Sequence, residues 1–299
     1  MWVVFTFLTF FAWGIADLFY KIGNHDKDKY SHLKTGVMVG YVMGIHALLF
    51  LIFNKVELNI LDMIKYLPVS LCYILSMIIG YKGLKYLELS ICSPIQNTSG
   101  IITALLLLIF FKESLSIYAY IAFILIFIGI TMLSLIELNE GKSKRIKFRK
   151  ENTFKRILTL TILFPLGYCL IDGLGTFLDA IYLDYNSLIS EDLALVAYEF
   201  TFLIYSLVCT AYLKFKNEKI SIFKEKAKLA AAVFETIGQF FYVYAMSGSS
   251  IIAAPIIGSY CILSMLLSRV FLKEKLTKKE YIAIFIVVVG IVILGILDI

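Results

Sequence analysis

The sequence predicts an all-α integral membrane protein whose ten transmembrane helices are arranged as two inverted five-helix repeats. Three observations support this fold class. Hydrophobic residues make up 60% of the chain and the mean hydropathy is +0.87, values beyond the range of soluble domains. Apolar runs of the length that crosses a bilayer as a helix occur ten times. Several features recur at a fixed offset of 161 residues, which indicates a duplicated unit.

The duplicated features lie in and around the last three predicted spans of each half. They are a tyrosine, a proline, a Lys-Glu-x-Leu segment and a glycine, found at Tyr81, Pro94, Lys112–Leu115 and Gly129 and again at Tyr242, Pro255, Lys273–Leu276 and Gly290. Each half has five spans, and because five is odd, tandem copies must cross the membrane in opposite directions. We interpret Glu113 and Glu274 as residues that fix helix ends, since a position shared by both repeats argues for a role in the fold.

The spans follow one another with short connections in both halves. The first repeat, residues 1–138, contains predicted spans at about 2–22, 33–54, 63–81, 88–111 and 116–137. A basic connection, residues 139–153, leads into the second repeat, residues 154–299. The spans predicted there are about 154–180, 192–213, 228–247, 250–271 and 278–297, with a polar stretch near 214–227.

Lysine and arginine are distributed unevenly between the two sides of the predicted bundle. Of the 28 basic residues, 25 lie in or beside the connections that follow odd-numbered spans, and the remaining three are Lys55, Lys65 and Lys112. Cytoplasmic loops carry the excess of basic residues in membrane proteins. We therefore predict a multi-pass protein of the cell (inner or plasma) membrane with both termini extracytoplasmic. On this interpretation the basic clusters set topology, and no nucleic-acid partner is expected.

Several classes of function are disfavoured by residues that the sequence lacks. The five cysteines all fall in apolar runs without paired metal spacing, so we expect packing roles, no disulfide and no metal site. No glycine-rich nucleotide loop occurs, and no cofactor or primary energy source is predicted. With three histidines and no His-x-x-x-His or Gly-x-Ser-x-Gly motif, a membrane-embedded enzyme is a distant alternative and no catalytic residue is predicted. A channel is a further alternative, although polar residues at the centre of paired repeats suit a gated site better.

The five-plus-five plan with its twice-repeated Pro, Lys-Glu-x-Leu and Gly pattern resembles the EamA-like family of the drug/metabolite transporter superfamily. The resemblance covers nearly the whole chain, and Asp172-Gly173-Leu174-Gly175 also resembles a motif seen in the second half of some members. Membership implies a carrier and leaves its cargo open, because the family moves amino acids, nucleotide sugars, choline-like amines and other metabolites. One departure is that Gly100 has Cys261 as its counterpart, so the packing role of that glycine is not shared.

Carboxylates inside predicted spans include Asp17, Asp172, Glu199 and Glu235, and no lysine or arginine is predicted at a comparable depth. A charged side chain at the bilayer centre costs about 2.5–3.5 kcal/mol on insertion scales. These acids must therefore be protonated, hydrogen-bonded by polar neighbours, or matched by a cation from outside the protein.

The neighbours of two of these acids favour a binding site for a cation. Residues spaced three and four apart share a helix face, and two such sets occur: Trp13, Asp17 and Tyr20 in the first span and Glu235, Gln239 and Tyr242 in the eighth. A carboxylate beside aromatic rings holds an ammonium group by charge attraction and cation–π contact. Hydrogen bonds that merely join helices are the alternative. The same choice is open for Glu199, which follows Tyr198, and for Asp172, whose adjacent glycines also fit close helix packing.

The fourth and ninth spans each carry a proline within a polar stretch. Proline removes one backbone hydrogen bond, so we expect the helix to open near Pro94 and to expose Gln96 and Asn97 to a pathway, with Tyr260 equivalently placed in the ninth span. The alternative is that the prolines only bend the bundle. His46 is a further titratable group inside a span.

The sequence thus predicts a secondary active transporter for a small organic solute, working by alternating access within a lipid bilayer. A cationic or amine-bearing solute is favoured (a choline-like amine, an amino acid or a polyamine), because aromatic residues accompany two of the acids. The mid-span lysine or arginine expected for a phosphate is absent, which counts against a nucleotide sugar. The alternative is a proton-coupled exporter of neutral metabolites, amino acids or drugs. Protons or another coupling ion would then be partners, and the candidates to carry a proton are Asp17, His46, Glu199 and Glu235. Either carrier is expected as a monomer or a homodimer.

Overall fold

The computed structural model describes residues 1–24, 28–112, 115–146, 151–221, 225–273 and 276–297. Every regular element within these ranges is helical, and no strand occurs among them. The repeated Glu113 and Glu274 lie outside the described residues. The all-helical part of the predicted fold class is confirmed.

The helices alternate with short connections along the whole chain. In the first half they are α1 (Trp2–Gly23), α2 (Ser31–Asn54), α3 (Ile60–Tyr86), α4 (Leu89–Gln96), α5 (Ser99–Phe111) and α6 (Ile117–Ile146). In the second half they are α7 (Glu151–Ala180), α8 (Glu191–Phe215), α9 (Lys226–Gly258), α10 (Cys261–Leu267) and α11 (Lys278–Leu297). A π-helical turn extends α7 through Ile181–Tyr185, and another extends α10 through Ser268–Leu272.

Polar residues set the first turns of two long helices. A capping box begins α3, since the side chains of Asn59 and Asp62 each accept a hydrogen bond from the other residue's backbone N–H. The Ser190 side chain accepts from the backbone N–H of Leu193 at the start of α8. Between such ends the apolar runs satisfy their own backbone hydrogen bonds, as a lipid environment requires.

Seven helical segments in the described part of the chain are long and apolar enough to cross a membrane. They are 2–23, 31–54, 60–86, 92–111, 163–185, 191–215 and 226–272, and a shorter apolar helix covers 117–133. The protein is therefore a multi-pass helical membrane protein, and the number of ten spans stays a prediction. The segment 226–272 has 47 residues, roughly twice the length that a bilayer needs.

Helix breaks follow both of the repeated prolines. Pro94 lies near the end of α4, and a turn at residues 97–98 separates α4 from α5. Pro255 lies near the end of α9, and a turn at residues 259–260 separates α9 from α10. The prediction that the helix opens after Pro94 is confirmed, and the second half does the same. A β carbon at Gly258 would lie 3.0 Å from the Asn97 carbonyl oxygen, so the two breaks pack together.

The packing of α6 against α11 repeats itself across the two halves. A β carbon at Gly129 would lie 2.3 Å from Val287 and 3.0 Å from the carbonyl oxygen of Ala283. A β carbon at Gly290 would lie 2.7 Å from the Ile126 side chain and 2.9 Å from the Ala122 carbonyl oxygen. Every residue in the second set lies 161 positions from one in the first. The two helices therefore run antiparallel and make each contact twice. The equivalent pairs α1 with α9 and α7 with α3 also pack against each other.

Candidate functional site

A cavity lies between the helices of the two halves, beside the paired breaks. The residues that line it are Trp13, Asp17, Tyr20, Tyr73, Met77, Gly80, Tyr81, Leu84, Gln96, Asn97, Ser99, Gly100, Tyr168, Asp172, Thr176, Tyr198, Glu235, Gln239, Tyr242, Ala254, Ile257, Gly258 and Tyr260. The centre of a water molecule can occupy about 60 Å³ of it, which is room for a few waters or a small solute.

Eleven of the twelve residues predicted to bind substrate line this cavity: Trp13, Asp17, Tyr20, Gln96, Asn97, Asp172, Tyr198, Glu235, Gln239, Tyr242 and Tyr260. They come from six separate stretches of sequence, and the fold brings them to one place. Their contact with a solute stays a prediction.

Three carboxylates face the cavity, and hydroxyl groups hold each of them. Asp17 accepts a hydrogen bond of 2.9 Å from Ser264 of α10 and another from Ser93 of α4. Asp172 accepts from Ser76 of α3 at 3.3 Å. The lining residues, taken from the described part of the chain, include no lysine, arginine or histidine. The hydroxyls orient these acids, and none of them supplies a positive charge.

Glu235 is the third of these acids and links two helices. Its carboxylate accepts a hydrogen bond of 3.1 Å from the Tyr20 hydroxyl of α1. The Trp13 indole N–H lies 3.4 Å from the backbone carbonyl of the same residue. The aromatic and acidic residues predicted to share helix faces on α1 and α9 therefore also meet each other across the α1–α9 interface.

Aromatic rings form much of the cavity wall. The Trp13 ring lies 5.0 Å from that of Tyr242 and 6.0 Å from that of Tyr260, measured between centroids. On the other side the Tyr20 and Tyr81 rings lie 4.6 Å apart. Rings at these separations present faces and edges that an ammonium group can contact.

Two amide groups in the cavity wall lack hydrogen-bond partners among the described residues. The side-chain nitrogens of Gln96 and Gln239 are buried, and neither contacts an acceptor there. Buried donors are rarely left unpaired, because each one costs roughly 1–3 kcal/mol. A bound solute or ordered water with acceptor oxygens would satisfy both.

Glu199 is the predicted site residue that the fold does not bring to the cavity. Its fully buried carboxylate lies 2.8 Å from Nδ1 of His46 on α2, and this pair joins α2 to α8. The His46 ring also contacts Phe50 and Phe240, with centroids 5.9 Å apart in both cases. The two residues that the sequence offered separately as proton carriers thus form one hydrogen-bonded pair outside the cavity.

A further buried acid, Asp179, was missed by the sequence reasoning. Its carboxylate accepts hydrogen bonds from the hydroxyl groups of Tyr66 and Tyr73, the second at 3.4 Å. The Tyr73 hydroxyl lies 2.7 Å from that of Tyr242 and 3.1 Å from that of Thr176, and these three residues line the cavity. A signal was available, since Asp172, Thr176 and Asp179 are spaced four and three apart on one helix face.

Within the described ranges no group of three or more His, Cys, Asp or Glu side chains lies close enough to hold a metal ion.

A helical bundle with a polar, acid-lined cavity buried between two like halves is the design of a membrane transport protein. The sequence profile of the EamA-like transporter family matches residues 1–135 and again residues 159–296. The chain therefore belongs to the EamA-like transporter family, within the drug/metabolite transporter superfamily, and carries its unit twice.

A solved structure shares this fold. That chain, titled only as a crystal structure of a protein, superposes with a TM-score of 0.69, covering 99% of this chain and 96% of its own length. The two sequences are 11% identical, so the match concerns the fold alone. Among curated proteins no sequence relative was found.

Proposed function

We propose that this protein is a secondary active transporter that moves a small amine-bearing solute by alternating access between its halves. A choline-like amine, an amino acid and a polyamine are the solutes considered. One observation carries the proposal: Asp17, Asp172 and Glu235 face a cavity walled by aromatic rings, and no lysine, arginine or histidine is among its described lining residues. An ammonium group would supply the missing positive charge and contact the rings.

The two side-chain amides without hydrogen-bond partners narrow the range of solutes that would fit the cavity. The Gln96 and Gln239 nitrogens are donors, and they would pair with a carbonyl or carboxylate oxygen of the solute. A solute with an ammonium at one end and an acceptor at the other would satisfy both kinds of group. Among the solutes proposed, an amino acid has both ends.

The architecture proposed for this carrier is ten spans in two inverted repeats, with both termini extracytoplasmic. The antiparallel packing of α6 on α11, in which each contact recurs 161 residues away, supports inversion. The non-helical backbone at Ser249 divides the segment 226–272 into two lengths that would each cross a bilayer. We also propose that the protein lies in the cell membrane as a monomer or a homodimer.

A proton-coupled exporter of neutral metabolites, amino acids or drugs is the second candidate. It is favoured by the hydroxyl partners of Asp17 and Glu235, because a serine or tyrosine can accept from a protonated carboxyl as readily as it donates to an ionised one. In this case the acids carry protons and the solute brings no charge. A membrane-embedded enzyme remains the distant alternative.

A ligand panel on the purified protein in detergent separates the two. The panel sets choline, a polyamine and several amino acids beside neutral metabolites and nucleotide sugars at two pH values, and it records the unfolding temperature. A solute that binds the folded state raises this temperature with dose. An amine that does so, and loses the effect in Glu235→Gln or Asp17→Asn, supports the first candidate. If a neutral solute stabilises the protein most, the amine transporter is overturned in favour of the proton-coupled exporter.

A further inference from the structure

Two contacts between a buried carboxylate and tyrosine hydroxyls lie at opposite ends of the cavity. At one end Tyr66 and Tyr73 of α3 donate to Asp179 of α7. At the other end Tyr20 of α1 donates to Glu235 of α9. Tyr73 lies eight residues before Tyr81, whose ring contacts that of Tyr20, so the two contacts are roughly 12 Å apart along α3.

The helix pairs that make these contacts are equivalent. The offset of 161 residues carries α1 onto α7 and α3 onto the first part of α9, so the α1–α9 and α7–α3 interfaces correspond. Donor and acceptor exchange places between them: the acid is on α7 at one end and on α9 at the other. Tyr81 lies beside the Tyr20–Glu235 contact and Tyr242 lies beside the Asp179 contact, and these two tyrosines are themselves 161 residues apart.

Every side chain in the two contacts is buried, so neither contact is open to solvent. Tyr73, Tyr242 and Thr176 line the cavity, whereas Asp179 and Tyr66 are fully buried and do not line it. The hydrogen bonds among these groups therefore close the cavity at that end. At the opposite end the Lys21 ammonium, which follows Tyr20, donates to the backbone carbonyl oxygens of Leu84 and Leu87 at 2.8 and 2.5 Å.

We propose that these two carboxylate–tyrosine contacts are the two gates of the carrier and that they open in alternation. This inference rests on the proposed transport function. The Asp179 contact closes the extracytoplasmic end and the Glu235 contact closes the cytoplasmic end, according to the predicted topology. Asp179 is then a positioning residue that holds α7 to α3. It does not contact the solute itself.

The symmetry explains why two such gates suit alternating access. A carrier needs two end states of similar free energy, and equivalent interfaces closed by the same chemistry provide them. When one contact breaks, water enters at that end and solvates the freed carboxylate. The other contact meanwhile stays closed to water. Each gate also joins a helix of one half to a helix of the other, so opening it moves the halves relative to each other.

The test measures which side of the membrane reaches the cavity. A single cysteine replaces Met77, which lines the cavity between the two gates, in a protein whose five native cysteines are changed to alanine. A membrane-impermeant thiol reagent is then applied to right-side-out and to inverted vesicles. The variants are Tyr66→Phe with Tyr73→Phe for one gate and Tyr20→Phe for the other, because phenylalanine keeps each ring and removes its hydroxyl.

A matched control is present in the same bundle. Tyr244 of α9 donates a hydrogen bond of 2.6 Å to Asp192 of α8, away from the cavity lining. Tyr244→Phe therefore removes the same kind of bond without touching either gate. Asp179→Asn serves as a milder second variant if the double change reduces yield, since the amide retains an acceptor oxygen for the tyrosines.

The proposal predicts that the two gate variants shift labelling by several-fold in opposite senses. In the double variant and in Asp179→Asn, the cysteine at position 77 should be labelled more from the extracytoplasmic side. In Tyr20→Phe it should be labelled more from the cytoplasmic side. In Tyr244→Phe labelling should not change from either side. Equal labelling in all variants, or shifts toward the same side, would overturn the gates. Labelling does not require the solute, so the two proposals fail separately. If an amine stabilises the protein but labelling does not shift in opposite senses, the proposed transport function stands and the gate proposal fails. If labelling shifts in opposite senses but no amine stabilises the protein, the gate proposal is supported and the amine is refuted as the solute.

Discussion

Ser264 donates a hydrogen bond of 2.9 Å to the carboxylate of Asp17, which joins the first helix of one half to the broken helix of the other. Ser93 donates to the same carboxylate from the first half's own broken helix. Asp17 thus has its partners from both halves, and a change of its side chain can affect both solute binding and helix packing. Substitutions that keep an acceptor oxygen separate these two effects.

Asp17→Asn and Glu235→Gln should weaken solute binding by roughly ten- to hundred-fold while leaving membrane insertion intact. The amides still accept from Ser264 and Tyr20, but they lose the charge that attracts an ammonium group, an interaction of about 1.5–3 kcal/mol. Dose-dependent thermal stabilisation and vesicle uptake check this. Asp192→Asn, whose partner is Tyr244 outside the cavity, is the matched control. Wild-type uptake in both cavity variants would contradict the site.

Glu199→Gln should leave solute binding within about two-fold of the wild-type value, because Glu199 pairs with His46 and does not line the cavity. If this pair carries the coupling proton, uptake driven by an imposed pH gradient should fall by at least ten-fold in Glu199→Gln and in His46→Asn. Uptake along a solute gradient alone should persist. Gradient-driven uptake that remains at the wild-type rate would assign the pair to packing.

Gly129→Ala and Gly290→Ala should lower the unfolding temperature by similar amounts. A methyl group at either position meets the facing helix at under 3 Å, and overpacking of this kind costs about 1–3 kcal/mol. Because the two sites are equivalent, we expect equivalent costs. Gly167→Ala provides the control, since its β carbon would lie 3.7 Å from Ile79, an ordinary contact distance. Thermal unfolding in detergent measures all three, and a large effect at only one of the paired sites would count against the packing symmetry.

Ser143→Cys, in the basic stretch 142–150, should be protected from an impermeant thiol reagent in whole cells. Cytoplasmic loops hold the excess of lysine and arginine, and this stretch has six of them. Asn54→Cys, at the end of α2 on the side with few basic residues, should be labelled under the same conditions. The reverse pattern would invert the topology.

Local sequence patterns predicted eleven of the 23 residues that line the cavity. Trp13, Asp17 and Tyr20 share one face of α1, and residues on a shared face reach the same place whatever the helix packs against. Glu199 shows that a residue next to a cavity residue in the sequence need not line the cavity itself. It follows Tyr198 directly, and because successive helical residues point about 100° apart, only Tyr198 lines the cavity.

Other parts of the site depend on packing between helices, which a single sequence does not encode locally. Asp179 lies at the end of a predicted span, and its importance comes from Tyr66 and Tyr73, more than a hundred positions earlier. His46 and Glu199 were each visible as polar residues in apolar runs, but their pairing required the contact of α2 with α8. The internal repeat gave more information about packing between helices than the single residues did. Its offset of 161 residues relates the paired contacts between α6 and α11.

The meeting of the two helix breaks has a consequence for biogenesis. The turn at residues 97–98 packs against Gly258, which the ribosome adds long after the first half has entered the membrane. Until then the interrupted helix faces lipid, where unpaired backbone groups are costly. A nascent first half should therefore be held by an insertase or degraded by a membrane protease. Translation of Gly258 and the residues around it would end that exposure, so completion of the transport pathway and escape from proteolysis would coincide.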